Sequence, residues 1–171
     1  MDANAIFSGA EGEGERSGRA LAETIFANEA DPAFRRRAIW IAGVLGREFR
    51  GRDFRLADIG CGRGFYFPLY HQLGGTVVGI EADLEPLAAA RARAETFGAT
   101  VVQAGAERLP LDDETVDVVV MSEILEHLPD PGSALAEAHR VLVPGGWLLA
   151  TVPNANYPFN WDPINRVLEA T

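Results

Sequence analysis

The segment Leu56-Ala57-Asp58-Ile59-Gly60-Cys61-Gly62-Arg63-Gly64 sets the architecture of this chain. It begins as a short apolar run, typical of a buried strand, and continues into a turn that holds three alternate glycines. Glycine adopts positive φ angles at little cost and lets a ligand approach the main chain closely. A helix that opens after such a turn adds free N–H groups and the positive end of its dipole. The segment therefore predicts either a site for a nucleotide-like ligand or a tight strand-to-helix turn without one.

The composition is ordinary for one globular domain of 171 residues, with 47% hydrophobic and 23% charged residues. The formal net charge is -10 and every basic residue is Arg, which excludes lysine-nucleophile and Schiff-base chemistry. Such an acidic chain matches nucleic-acid backbone poorly, so no nucleic-acid partner is expected. The single Cys cannot form an internal disulfide, and no apolar run reaches the ~18 residues of a membrane span. We therefore expect a cytoplasmic protein without a membrane span.

The first 53 residues divide into a tail and a helical segment. Residues 1–18 carry Gly between Glu residues, which predicts a flexible acidic tail. Residues 19–53 predict helices, one of which begins at Asp31-Pro32, since Asp and Pro favour the first positions of a helix. Within that helix, Arg35-Arg36-Arg37 is either a solvated helix face or a feature that guides an anionic substrate.

From Phe54 onward, short apolar strands alternate with helical segments. Strands are predicted at residues 55–59, 76–80, 100–103, 116–121 and 147–152, and helices at residues 64–73, 84–97 and 132–142. This alternation predicts an α/β fold with a doubly wound parallel sheet over residues 54–153. Residues 154–171 read as a loop followed by the start of a truncated helix.

The polar residues that follow each strand are the candidates for ligand binding, because an open α/β sheet binds ligands beyond the carboxyl ends of its strands. Glu81 follows the second strand, roughly 20 residues after the glycines, where a carboxylate accepts hydrogen bonds from ribose hydroxyls. The spacing Gly60-x-Gly62-x-Gly64 differs from the dinucleotide fingerprint, and Phe65 would obstruct close packing over a pyrophosphate. These residues favour a ribose-bearing ligand without a pyrophosphate and disfavour a nicotinamide-dependent oxidoreductase.

Five short motifs follow one another within residues 54–153. They are Asp58–Gly64, Val78–Asp83, Ala106–Leu111, Ser122–Leu128 and Arg140–Gly146. In this order they resemble the motifs of class I S-adenosylmethionine-dependent methyltransferases, of the small-molecule type that includes ubiquinone-pathway enzymes. The resemblance implies a Rossmann-like sheet in the order 3-2-1-4-5, S-adenosyl-L-methionine as cofactor and a small-molecule methyl acceptor. The family fold has seven strands, so we expect strands 6 and 7 to be absent and one sheet edge to be exposed.

The resemblance also assigns the cofactor-binding residues. They are Asp58, Gly60, Cys61, Gly62, Gly64, Glu81, Ala82, Asp83, Gly105, Ala106, Glu107, Ser122 and Glu123. The glycines would wrap the methionine portion and the ribose, with Asp58 beneath the methionine amino group and Glu81 on the ribose diol. Ala106 would offer its backbone N–H to the adenine. Family members often have Asp at the place of Gly105, so adenine recognition departs from the pattern here, and Glu107 is a possible substitute.

Glu126 and His127 follow the fourth strand, where the acceptor would face the methyl group. His127 could act as general base for a hydroxyl acceptor, or the pair could brace the segment before Pro129. Together with Glu123 they also resemble part of a metal site in small-RNA 2′-O-methyltransferases. That site needs a further His, and the remaining His residues fall on predicted helices, so no metal is expected. Tyr157 and Trp161 follow the fifth strand, where family members often contact substrate.

Two other functions stay open on the sequence. A chain that lacks the last strands could bind the cofactor without catalysis, as a regulatory or vestigial module. An RNA 2′-O-methyltransferase is the second alternative, although the acidic charge and the absence of Lys disfavour an RNA acceptor.

Overall fold

The structure is a computed structural model that describes residues 12–153 and the backbone of residues 163–169. Its elements are α1 (Glu13–Ile25), α2 (Pro32–Glu48), β1 (Phe54–Ile59), α3 (Phe67–Gln72), β2 (Gly75–Glu81), α4 (Leu84–Phe97), β3 (Thr100–Gln103), β4 (Val116–Ser122), a 3-10 helix (Leu125–His127), α5 (Pro131–Val141), β5 (Leu142–Pro153) and β6 (Pro163–Glu169).

One sheet in the order β3-β2-β1-β4-β5-β6 forms the centre of the molecule. The strands β1 to β5 are all parallel, which confirms the predicted order 3-2-1-4-5 and the α/β fold class. The central strands β1 and β4 are apolar runs whose side chains are almost wholly buried, as expected when helices cover both faces of a parallel sheet. Their carboxyl ends, after Ile59 and Ser122, therefore lie side by side at the carboxyl-terminal end of the sheet.

The C-terminal segment has a different secondary structure from the one predicted. Residues 164–171 were predicted to begin a helix, but Pro163–Glu169 forms the strand β6, which pairs antiparallel with β5 from Pro153↔Pro163 to Trp147↔Glu169. The prediction that a sixth strand is absent was therefore wrong, and β6 covers the edge of β5 that was expected to be exposed. In a short segment of mixed polarity, the spacing of apolar residues fits a helix and a strand equally well. The unpaired backbone N–H and C=O groups at the side of β5 favour the strand.

The N-terminal segment corrects another. The predicted flexible tail reached residue 18, but helix α1 already begins at Glu13. Gly14 and Gly18 are buried against α2, and a Cβ on either would overlap the backbone carbonyl of Gly46 or Ala42. Close helix packing, which requires small residues, therefore outweighs the tail-like composition. Residues 1–11 lie outside the described residues.

Smaller differences concern element ends. Helix α4 matches its predicted bounds, and Gly98 ends it with a φ of 67°. The helix predicted from Gly64 begins only at Phe67. Strand β5 begins at Leu142, before the predicted turn, because Leu142 pairs with Val116 across a bulge that holds Gly145. In the described part of the chain, no helix is both long and apolar enough to cross a membrane.

Gly18→Ala tests the close contact between α1 and α2. Alanine favours a helix more than glycine does, yet the added methyl group meets the Ala42 carbonyl. Overpacking of this kind costs about 1–3 kcal/mol, which lowers Tm by roughly 2–12 °C. Differential scanning calorimetry measures the change. Ser17→Ala on the exposed side of α1 is the matched control, and an equal Tm for both variants would contradict the packing.

Candidate active site

The glycine turn after β1 adopts the backbone that its sequence predicts. Gly60, Gly62 and Gly64 have φ angles of 71°, 54° and 71°. The N–H groups of Gly60 and Cys61 both donate to the carbonyl oxygen of Ile80, at 2.8 and 3.1 Å. A Cβ on Gly60 would overlap the side chain of Ile124. The turn is therefore fixed by the end of β2 and by the segment after β4, and α3 begins only at Phe67.

Glu81 joins two backbone segments at the carboxyl-terminal end of the sheet. Its Oε2 accepts a hydrogen bond from the N–H of Gly62 at 2.9 Å, and its Oε1 accepts one from the N–H of Asp83 at 2.9 Å. Each carboxylate oxygen has two lone pairs, so both oxygens can still accept a hydroxyl from a ligand. Glu81 thus lies where the sequence predicted a ribose-binding carboxylate.

Asp58 is a buried carboxylate with an unsatisfied oxygen. Its side chain is 2% exposed, and among the described residues its Oδ2 has no hydrogen-bond partner. Burial, together with the negative charge of Glu81, raises the pKa of Asp58 to about 7. A buried group without a partner destabilises the fold unless a ligand or an ordered water satisfies it. Asp58 is therefore suited to accept a hydrogen bond from a cationic ligand group.

A second polar cluster borders the carboxyl-terminal end of the sheet and consists of Arg37, Tyr66, Ser122 and Glu123. Arg37 reaches from α2 to Glu123, with 3.6 Å between Nη1 and Oε2. The Arg37 Nε, the Tyr66 hydroxyl and the Glu123 Oε1 are buried and have no hydrogen-bond partner among the described residues. Burial raises the pKa of Tyr66, an effect that the nearby Ser122 hydroxyl and the Arg37 charge oppose. Glu123 also has a φ of 57°, a conformation that is uncommon for non-glycine residues and is enriched at functional sites.

The sequence analysis did not single out Tyr66, and it left two roles open for Arg37. In the arginine run of α2, Arg36 is exposed, whereas the Arg37 side chain is only 13% exposed. The solvated-face interpretation was therefore wrong for Arg37. One signal could have found it, since Arg37 lies three residues after Phe34 and four before Ile41, on the apolar stripe of the helix.

A cavity of about 370 Å³ lies over the glycine turn. Its lining includes the polar residues Asp58, Arg63 and Ser122, the glycine turn, and the apolar or aromatic residues Phe34, Phe65, Tyr66 and Pro86. Phe65 is 44% exposed, and the Arg93 guanidinium lies 4.6 Å from its ring centre. Polar and aromatic side chains thus both line the cavity. Cys61, which also borders it, is buried, and burial raises the pKa of its thiol, as expected of a packing residue.

The segment after β3 is held by Arg140 of α5. The Arg140 guanidinium donates to the carbonyl oxygens of Leu109 and Leu111 and to the carboxylates of Asp113 and Glu137. The hydrogen bond and charge of Arg140 lower the pKa of Glu137 to about 2, and Glu137 accepts from the Leu109 N–H at 2.7 Å. This network fixes the residues that follow Gly105, Ala106 and Glu107.

The catalytic candidates lie away from this cavity. The 3-10 helix carries both, and the His127 side chain is 76% exposed, with its Nε2 3.8 Å from Glu126 Oε1. Their catalytic role stays a prediction. Among the residues that the structure describes, no three His, Cys, Asp or Glu side chains could together hold a metal ion. Tyr157 and Trp161 lie outside the described residues.

Comparison with known proteins identifies the family. The family described as Methyltransferase domain matches residues 57–150, which is more than half of the chain. The chain belongs to this methyltransferase family. The match confirms the resemblance carried by the five sequence motifs, and the methyltransferase fold accounts for the position of the site at the carboxyl ends of β1, β2 and β4.

Methyltransferases resemble this chain in sequence and in structure. A ubiquinone biosynthesis O-methyltransferase of Pseudomonas aeruginosa is 35% identical over 129 residues, which are 70% of this chain and 51% of that relative. A solved SAM dependent methyltransferase from Aquifex aeolicus has a TM-score of 0.61 and 26% identity, covering 80% of this chain and 77% of that one. An S-adenosylmethionine dependent methyltransferase from Mesorhizobium loti has a TM-score of 0.56 and 28% identity, covering 60% and 48%. This chain spans about half the length of the curated relatives it matches.

Asp58→Asn tests the burial of the Asp58 charge. Because the pKa of Asp58 rises from 3.8 to about 7 on folding, the folded chain binds more protons than the unfolded chain between these values. Below pH 4 the Asp58 carboxyl is neutral in both states, so the free energy of unfolding is unaffected. As the pH rises from 4 through 7 the carboxyl ionises first in the unfolded chain and only then in the folded chain, and this lowers the free energy of unfolding by up to about 4 kcal/mol. We expect a smaller fall in Tm from pH 5 to pH 8 in the variant than in the wild type.

The exposed Asp112→Asn is the control for this measurement, and its Tm should follow that of the wild type. Parallel pH profiles for the wild type and the Asp58 variant would contradict the buried charge.

Proposed function

We propose that this chain is an S-adenosyl-L-methionine-dependent methyltransferase domain that transfers a methyl group to a small-molecule acceptor. Family membership supports the reaction class, and the names of the relatives support the cofactor and a small acceptor. The observation that carries the proposal is the unsatisfied Asp58 carboxylate beside a positive-φ glycine turn and Glu81. The donors and acceptors at this edge complement the parts of this cofactor.

The amino-acid end of the cofactor carries an ammonium and a carboxylate. Asp58 offers an unpaired oxygen for the ammonium. Arg37 and Tyr66 offer the unpaired Nε and hydroxyl for the carboxylate, and charge-assisted hydrogen bonds of this kind are strong. Asp58 and Tyr66 line the cavity, and Arg37 reaches from α2 to Glu123 next to Ser122, so groups of both signs are available for a zwitterion.

The ribose end fits Glu81. Two backbone N–H groups fix the orientation of this carboxylate, and it can accept both ribose hydroxyls. A Cβ on Gly62 would meet nothing within 4 Å, so the middle of the cofactor can lie directly against the main chain there. We assign Gly60, Gly62 and Gly64 to this contact.

The bound cofactor supplies a methyl group activated by a sulfonium sulfur. The chain contributes mainly by position, because alignment of two reactants can be worth roughly 7–11 kcal/mol. Phe34 and Phe65 line the cavity beside the glycine turn and offer apolar surface on which an acceptor can lie. For a hydroxyl acceptor that extends beyond the cavity to the 3-10 helix, we propose His127 as the general base, with Glu126 as its partner.

Glu81→Ala tests the ribose contact by isothermal titration with S-adenosylhomocysteine. Hydrogen bonds to a charged group contribute about 1.5–3 kcal/mol, so we expect the Kd to rise at least tenfold. Glu95→Gln is the control, since Glu95 is exposed on α4 and does not line the cavity. Unchanged affinity in the Glu81 variant, with an unchanged circular dichroism spectrum, would refute the binding model.

Arg37→Gln tests the amino-acid end with a pair of ligands. We expect this variant to bind S-adenosylhomocysteine about tenfold more weakly and to bind methylthioadenosine, which lacks the amino-acid carboxylate, with unchanged affinity. Arg36→Gln on the exposed side of α2 is the matched control. Equal losses for both ligands would show that Arg37 only supports the fold.

A further inference from the structure

Tyr70 of α3 buries a hydroxyl that the fold does not satisfy. Its side chain is wholly buried, and the hydroxyl has no hydrogen-bond partner among the described residues. Phenylalanine would fill the same space without the cost of an unpaired polar atom. Nearly all buried polar groups in native proteins bond to a protein atom or to an ordered water. The Tyr70 hydroxyl therefore needs a partner that the core around it can hold.

The Asp58 side chain points to the face of the sheet that α3 covers. Successive side chains of a strand alternate between the two faces, so Asp58 shares a face with Leu56, and Leu56 packs in the same cluster as Tyr70. Beside Asp58 in the sheet lie Gly79 of β2, which has no side chain, and Val120 of β4, which belongs to that cluster too. The buried Asp58 Oδ2, which has no partner among the described residues, therefore lies in the layer between the sheet and α3.

Tyr66 adds a third polar atom to this layer. It lies four residues before Tyr70, and the centres of the two rings are 5.9 Å apart. Its hydroxyl is also buried and without a partner in the described part of the chain, and Tyr66 lines the cavity together with Asp58. The layer thus holds two hydroxyls, which can donate, and one carboxylate oxygen, which accepts. A buried water makes about three hydrogen bonds, which is the number that these three atoms offer.

We propose that Tyr70 is a positioning residue that donates to the Asp58 carboxylate through one buried water, which Tyr66 also contacts. A water-mediated hydrogen bond is nearly as favourable in enthalpy as a direct one. The bridge fixes the orientation of the carboxylate and favours its charged form. The inference rests on the proposed function, in which the charged Asp58 holds the ammonium of the cofactor, and it adds a residue that does not touch the cofactor.

The charges around this layer leave the tyrosine as the donor. The titratable groups that surround Asp58 and the two hydroxyls are Tyr66 and Tyr70 of α3, Cys61 of the glycine turn, Glu81 of β2 and Arg37 of α2. Burial and the Asp58 charge raise the pKa of Tyr70 well above its ordinary value, so its hydroxyl keeps its proton. Burial and the charge of Glu81 raise the pKa of Asp58, and a donor that stabilises the carboxylate opposes both effects.

Tyr70→Phe tests the proposal, because it removes the hydroxyl and keeps the ring. The carboxyl ¹³C chemical shift of Asp58, assigned by comparison with Asp58→Asn, reports the protonation of this carboxyl in the folded chain without any ligand. We expect the midpoint of its pH titration to rise by about one pH unit in Tyr70→Phe, since the carboxylate loses part of its hydrogen bonding. Gln72→Ala on the exposed side of α3 is the control and should keep the wild-type midpoint.

A second measurement follows the ligand. A protonated Asp58 accepts poorly from an ammonium, so Tyr70→Phe should bind S-adenosylhomocysteine about fivefold more weakly than the wild type at pH 7 and with nearly equal affinity at pH 8.5. Methylthioadenosine, which lacks the ammonium, should bind both proteins equally at both pH values. In an Asp58→Asn background, Tyr70→Phe should change neither affinity.

The melting temperature tests the water itself. At pH 5, where the folded chain keeps Asp58 protonated, loss of a hydrogen-bonded hydroxyl should lower the Tm of Tyr70→Phe by roughly 1–6 °C. Loss of a hydroxyl that has no partner would raise the Tm instead, and this result would overturn the bridge.

Two further outcomes separate this inference from the proposed function. Equal Asp58 midpoints in the wild type and in Tyr70→Phe would overturn the role of Tyr70 and leave the proposed function standing. Failure of the wild type to bind S-adenosylhomocysteine would remove the proposed function and the ligand part of this inference, whereas the midpoint measured without ligand would still decide whether Tyr70 acts on Asp58.

Discussion

The Glu81 carboxylate is the interaction on which the geometry of the site depends. It lies at the end of β2 and holds the N–H of Gly62 on one side and the N–H of Asp83 on the other. A charged acceptor makes stronger hydrogen bonds than a neutral one, so it can fix two loops that have little regular structure of their own. The carbonyl of Ile80 adds two more bonds to the same turn. The end of β2, rather than the start of α3, therefore organises the glycine turn.

Unsatisfied polar groups gather around that turn. Asp58, Tyr66 and Tyr70 all bury a polar atom that has no partner among the described residues. Burial raises the pKa of Tyr70 as well, with the Asp58 charge adding to the effect. Each such group lowers the stability of the chain when no ligand is present. Natural proteins accept costs of this kind at functional sites, and here the cost lies at the site proposed for the cofactor.

The sequence predicted the parallel part of the fold well, because its signals are local. Val118–Met121 within β4 is a continuous apolar run, and Gly98 ends α4 by its own backbone preference. The errors concern residues whose state depends on a partner. Gly14 and Gly18 lie in a helix because their backbone packs closely against α2. Pro163–Glu169 is a strand because it pairs with the free hydrogen-bonding groups of β5. The position of Arg37 depends in the same way on how α2 lies across the sheet.

The cover of the site is therefore set by packing far from it. Helix α2 supplies both the aromatic wall at Phe34 and the charge at Arg37. The same helix rests on α1 through backbone contacts at Gly14 and Gly18, which leave no room for side chains. Since interiors are closely packed, a shift of α1 would move both site residues together. Asp58 and Glu81 belong to β1 and β2 of the sheet and do not share this dependence, so the fold separates these two carboxylates from the residues that α2 supplies.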